Sequence, residues 1–106
     1  MANPWAGEVE IVLDGTPRVA RLTLGALAEM ETALATGGLI DLAERFETGR
    51  FSARDVVAVL VAGLRGGGWQ GTAAELMRAE VAGGPAGAAR AAAELLALAF
   101  APPGAG

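Results

Sequence analysis

The sequence predicts an α+β fold: an N-terminal β-hairpin followed by a small bundle of four to five helices, mainly helical. Three observations lead there. Glu8 to Leu13 alternates, with Val9, Ile11 and Leu13 on one face and two glutamates on the other, the period of a half-buried strand. Asp14-Gly15 follows directly and tolerates positive φ, which a tight hairpin turn requires. From Leu24 onward apolar residues recur at helical spacing, divided by Gly, Pro and Ser/Thr signals. With 106 residues the chain makes a single domain, 1–106, because a second core would have too little chain to bury. Residues 1–6 and 102–106 are expected as flexible tails.

Pro17 has no N–H to give a ladder, so the return strand is expected from Arg18 to Leu24, with Ala20, Leu22 and Leu24 inward. An isolated hairpin is marginal in water; this one must lie on the helices or pair with another chain. The first helix is expected from Leu24 to Ala35, stopped by Gly37-Gly38, with Leu24, Leu27, Ala28, Met30 and Leu34 on one arc. Glu31 falls inside that arc. Two readings stay open for it: a carboxylate at the edge reaching water, or a structural ion pair with Arg21 or Arg65.

A second helix, Leu39 to Glu47, presents Leu39, Leu42, Ala43 and Phe46 on one face and stops at Gly49. Ser52 caps the third, and Asp55 places a carboxylate in its first turn, where the helix dipole favours it. The valine-rich continuation, Val56 to Leu64, also suits a buried strand. The cap, the length and the Ala/Leu content decide for a helix, and apolar residues around most of its circumference make it the central one. Arg65 to Gly71 is a glycine-rich loop carrying Trp69, which is expected to fold back onto the core. Thr72-Ala73-Ala74-Glu75 is a capping box that opens the fourth helix, with Leu76, Met77 and Val81 in line. Gly83-Gly84-Pro85 breaks it, and a fifth helix follows from Ala86 to Phe100 with a stripe of Ala88, Ala91, Ala92, Leu95 and Ala99.

Composition narrows function. The chain is 53% hydrophobic with five aromatic residues, and its mean hydropathy is +0.42. So apolar a chain with so few bulky anchors leaves apolar surface for a partner. All eight cations are arginine, scattered from Arg18 to Arg90, and the net charge is −4. Nucleic acid demands clustered cations to displace phosphate counterions, so such a partner is not expected. The most apolar run, 91–101, is broken by Glu94 and falls short of the roughly twenty residues a bilayer requires. No basic stretch precedes an apolar one at the amino terminus, so secretion is not expected, and the lack of cysteine is compatible with the cytoplasm.

Histidine, cysteine, tyrosine and lysine are missing, and Ser52 is the single serine. That removes the usual general base, the thiolate, the Schiff-base amine and any serine–histidine pairing, so no enzyme and no catalytic residue is expected. No metal or cofactor is expected either. The carboxylates lack the alternating spacing of a calcium loop. The glycine run 63–71 follows a helix and lacks Gly-Lys-Ser/Thr, which makes it a hinge and not a phosphate cradle.

The hairpin-to-helix segment, together with Gly49-Arg50-Phe51-Ser52 and Ala62-Gly63-Leu64-Arg65-Gly66-Gly67-Gly68, resembles the gene transfer agent and phage tail protein family grouped with tail assembly chaperones. The likeness covers nearly the whole chain and weakens after Gly71. It implies a protein of the bacterial host cytoplasm, encoded between the major tail tube and tape measure proteins. Such a chaperone binds the tape measure protein, keeps it soluble and helps tube subunits polymerise around it. Some members are labelled tube proteins, which implies the alternative, a structural tail component (minor tail or tail tube protein). The implied partners are the tape measure protein, the tail tube protein, or a second copy of the chain. For helix-in-groove capture the expected contact surface is the apolar side of the third and fifth helices, Leu60, Leu64, Leu95, Leu96 and Phe100, with Trp69 beside it. A tube subunit normally needs a sizeable sheet, so one hairpin favours the chaperone. A regulatory binding module would need a basic recognition helix or a charged tail, and the sequence has neither.

Overall fold

In a computed structural model, which describes residues 2–34 and 37–100, the alternation of residues 8–13 becomes strand β1 (Glu8–Leu13), paired antiparallel with β2 (Thr16–Arg21). Asp14 (φ 51°) and Gly15 (φ 80°) both turn through positive φ, as a two-residue hairpin of the primed type requires. Register pairs Leu13 with Thr16 and Glu8 with Arg21. Val9, Ile11, Leu13 and Ala20 face the core. Five helices follow: α1 (Leu24–Ala33), α2 (Leu39–Thr48), α3 (Ala53–Gly66), α4 (Ala73–Arg78) and α5 (Gly84–Ala99). The α+β class, hairpin first and helices after, is as the sequence predicts.

The valine-rich segment coils. Ser52 Oγ accepts from the Asp55 N–H at 3.1 Å while the Asp55 carboxylate accepts from the Ser52 N–H at 2.9 Å, a reciprocal cap that starts α3. α3 then lies against β2, α1, α4 and α5, and Val59, Leu60 and Leu64 are buried on its different sides. Its last turn presses on the hairpin: a Cβ on Gly66 or Gly67 would overlap the carbonyls of Arg21 and Val19. α5 closes the other side, against α3, β1 and α2, through Ala88, Ala92, Leu95 and Leu96.

Several boundaries differ from expectation: β2 already begins at Thr16, with Pro17 across from Val12, and α5 begins at Gly84. β2 ends at Arg21, and Leu24 does not point inward. Thr23 leaves the ladder to cap α1, its Oγ1 accepting from the Ala26 N–H at 3.0 Å, so Leu24 begins the helix with its side chain 83% exposed. The buried face of α1 is therefore Ala26 and Met30, with Leu27 and Leu34 half-buried and Ala28 exposed. Its last residue is Ala33; the expected end at Ala35 lies outside the described residues.

α4 stops at Arg78, because the next backbone is taken by the hairpin. Asp14 N–H donates to the Glu80 carbonyl at 2.8 Å, Ala82 N–H donates to the Val12 carbonyl at 3.0 Å, and Glu80 N–H donates to Asp14 Oδ1 at 2.9 Å. Val81 thus leaves the helix and faces Leu13 in an isolated antiparallel bridge beside the two-stranded sheet. At the amino end, Pro4–Ala6 form a single 3-10 turn, within a segment expected as a tail. Asn3 organises it: its N–H donates to Glu8 Oε1 at 2.8 Å and its Oδ1 accepts from the Trp5 N–H at 3.0 Å. The expected tail 102–106 lies outside the described residues.

Candidate interaction surfaces

Four of the six apolar residues expected to meet a partner are placed in the interior. Leu60, Leu64, Leu95 and Leu96 are buried where α3 meets α5. A central helix that is apolar all round spends its surface on its own neighbours, so that face is core. Trp69 folds back as expected. It is half-buried against the core, and its N–H donates to the Leu64 carbonyl at 2.9 Å. Phe100, just past α5, stays 43% exposed at the rim of a recess of about 350 Å³ between α2 and α5.

Of the two readings of Glu31, the one found is the carboxylate reaching water, and the pair with Arg65 is made by Glu29 instead. Arg65 Nε lies 3.4 Å from Glu29 Oε1, and Glu31 is exposed. The two glutamates are about 200° apart around the helix, and it is Glu29, three residues after buried Ala26, that α1 carries toward the end of α3. Arg21 is exposed on the hairpin, across from Glu8.

A cluster not foreseen joins α2 to α3. Arg45 grips Asp55 with two bonds, Nε to Oδ2 at 3.0 Å and Nη2 to Oδ1 at 2.9 Å, and its Nη1 reaches Asp41 Oδ2 at 2.6 Å. Asp55 is almost fully buried. The hydrogen bond from Arg45 holds its carboxyl below the ordinary value, against the upward push of burial, and Ser52 helps. The same contact raises Arg45. Beside it the Phe46 and Phe51 rings stack with centroids 4.7 Å apart. The local halves of this cluster, Asp41 four residues before Arg45 and the Ser52–Asp55 cap, are visible as spacings; the link between them is not.

What remains outward and apolar includes Ile40 on α2, 73% exposed, and a patch at each end of α5. At its carboxyl end Trp5 and Leu24, each 83% exposed, stand beside Leu98, Ala99 and the single cation Arg21. At its amino end an apolar groove of about 410 Å³ runs between α3, α4 and α5, lined by Val56, Val57, Val81 and Pro85, with Met77 66% exposed on its lip. Glu80 is the one charged residue along it. A further recess, beside Trp69, is polar and carries Asp14, Arg18, Glu75 and Arg78. Among the described residues no group of carboxylates gathers as a metal site would need, and no helix is long and apolar enough to cross a membrane.

Searches of curated proteins and of solved structures give no match. One family profile does match, over residues 6–102, which takes in the hairpin and all five helices and begins one residue after Trp5. The chain therefore belongs to the family described as phage tail tube protein, GTA-gp10.

Proposed function

We propose that the chain is a structural component of the tail of a phage-like gene transfer agent, built into or onto the tail tube in the host cytoplasm, with no catalytic step of its own. Family membership across residues 6–102 carries this reading. The physical features that support it are those of a protein that works by contact: a closed core, apolar side chains exposed at several separate places, and a side-chain inventory without histidine, cysteine or lysine. Quantifying the chain in purified particles tests it. Stoichiometric amounts relative to the major tube subunit are expected; particles free of the chain, with all of it left in the lysate, would reject the reading.

One observation favours a second reading, the tail assembly chaperone. The sheet has two strands and the body is helical, whereas a tube wall normally uses a larger sheet. A helical domain with an open apolar groove suits capture of a helix from the tape measure protein. Co-expression with that protein decides: no gain in its solubility and no co-purification would remove the chaperone.

A further inference from the structure

We propose that this chain associates with copies of itself head to tail, Trp5 and Leu24 of one copy seating in the Val57–Met77–Val81 groove of the next. The inference rests on the tail-component reading for its biological setting, and on geometry for its content. Trp5 is carried on a backbone that is ordered before any partner arrives. It sits on a 3-10 turn pinned by Asn3, whose side chain accepts from the Trp5 N–H and whose N–H donates to Glu8. A large apolar side chain kept outward on an ordered turn costs little further ordering on binding. Trp is also the residue most enriched among contacts that dominate interfaces.

The groove is its counterpart in shape and in charge. It is concave and apolar, with about 410 Å³ of space. Its one charged lining residue is an acid, Glu80, while the one charged residue lining the Trp5 end is a base, Arg21. Among the described residues neither takes part in an ion pair within its own chain. Docking Trp5 into the groove brings this base to that acid, which orients the encounter and offsets part of the repulsion between copies that each carry a net charge of −4.

The two surfaces lie at opposite ends of α5. Pro85 lines one and Leu98 the other, about 20 Å apart at 1.5 Å per residue. A copy bound through its Trp5 therefore keeps its own groove free for another. Such heterologous contacts build rings if the rotation closes and filaments if it does not.

Analytical ultracentrifugation of the whole chain over a wide concentration range tests this, with Trp5→Ala and Met77→Glu as variants. Both side chains are mostly exposed, so neither change removes core packing. Self-association that rises with concentration is expected, weakened by each variant by roughly 30-fold or more. Trp5→Ala keeps an intact groove and Met77→Glu an intact anchor, so mixing the two is expected to give a one-to-one dimer and nothing larger. A wild-type chain that stays monomeric, association untouched by either variant, or a mixture that does not pair would each overturn the proposal. So would a groove that takes up only purified tape measure protein, in a manner blocked by Met77→Glu and indifferent to Trp5→Ala. The tail role is judged separately. Particles that incorporate Trp5→Ala at wild-type level, from a monomeric pool, reject the pairing and leave the role; a chain absent from particles that still associates through Trp5 rejects the role and leaves the pairing.

Discussion

Replacing Asp55 with alanine removes two supports at once, the reciprocal cap at the start of α3 and the two-bond grip of Arg45 from α2. Loss of an N-terminal cap costs about 1 kcal/mol, and hydrogen bonds to a charged partner contribute about 1.5–3 kcal/mol. The second figure is reduced here, because the Arg45 side chain is 24% exposed and retains Asp41 after the change. A loss of about 2–3 kcal/mol results, or a fall of about 10–15 °C in Tm for a domain of this size. Asp41→Ala breaks only an exposed pair one helical turn apart and is expected to cost about 0.5 kcal/mol or less.

Charge gives the experiment its control. The folded carboxyl of Asp55 titrates below its ordinary 3.8 because Arg45 bonds to it. Its contribution is therefore complete above that value and is lost as pH falls through the lower, folded one. The stability gap between the native chain and Asp55→Asn, measured by denaturant unfolding, is expected to be level near neutrality and to close in acid. A gap that stays constant down to about pH 2, or an Asp55→Ala chain no less stable than Asp41→Ala, would show that the cluster does not tie α2 to α3.

The remaining predictions concern packing. Gly66→Ala should destabilise by about 2 kcal/mol or more in denaturant unfolding, since its Cβ would overlap the Arg21 carbonyl. Gly25→Ala, in the first turn of α1 with nothing closer than 3.9 Å, should instead stabilise by up to about 1 kcal/mol. Leu64→Ala and Leu95→Ala, at 0% and 1% exposure, should each cost about 3–4 kcal/mol in the same assay. Asp14→Ala loses the bond from the Glu80 N–H and forces a Cβ residue without a polar side chain to hold φ at 51°. A cost of about 1–2 kcal/mol is expected, visible as faster amide hydrogen exchange at residues 80–82.

Features governed by near neighbours were legible in the sequence. The hairpin was readable because period-two burial and Asp14-Gly15 lie side by side, and the starts of α3 and α4 because Ser52–Asp55 and Thr72–Glu75 are three residues apart. Features set by distant partners were not. Nothing in the local spacing says that Val81 abandons its helix for Leu13, 68 residues earlier, or that Arg45 reaches Asp55, ten residues on and beyond its own helix. The face of α1 was misjudged because Thr23, given to the strand, serves the helix as its cap. Most of the expected partner surface lies inside for a related reason. Leu60, Leu64, Leu95 and Leu96 are apolar enough for either an interface or a core, and with five aromatics in the chain the leucines are needed inside. The outward residues Trp5, Leu24 and Met77 lie at turns and helix ends, where periodicity has little to say.

The pairing of Asp14 with Glu80 joins positions 66 residues apart. A nascent chain emerges from the ribosome amino end first and folds as it lengthens. The hairpin is therefore born early, while the segment that lines its outer border is still being synthesised. A bare strand border is a template for the wrong neighbour. Glu10, on the part of that same strand that neither Asn3 nor residues 80–82 bond to, gives two newborn chains a reason to keep their distance until residue 82 has been delivered.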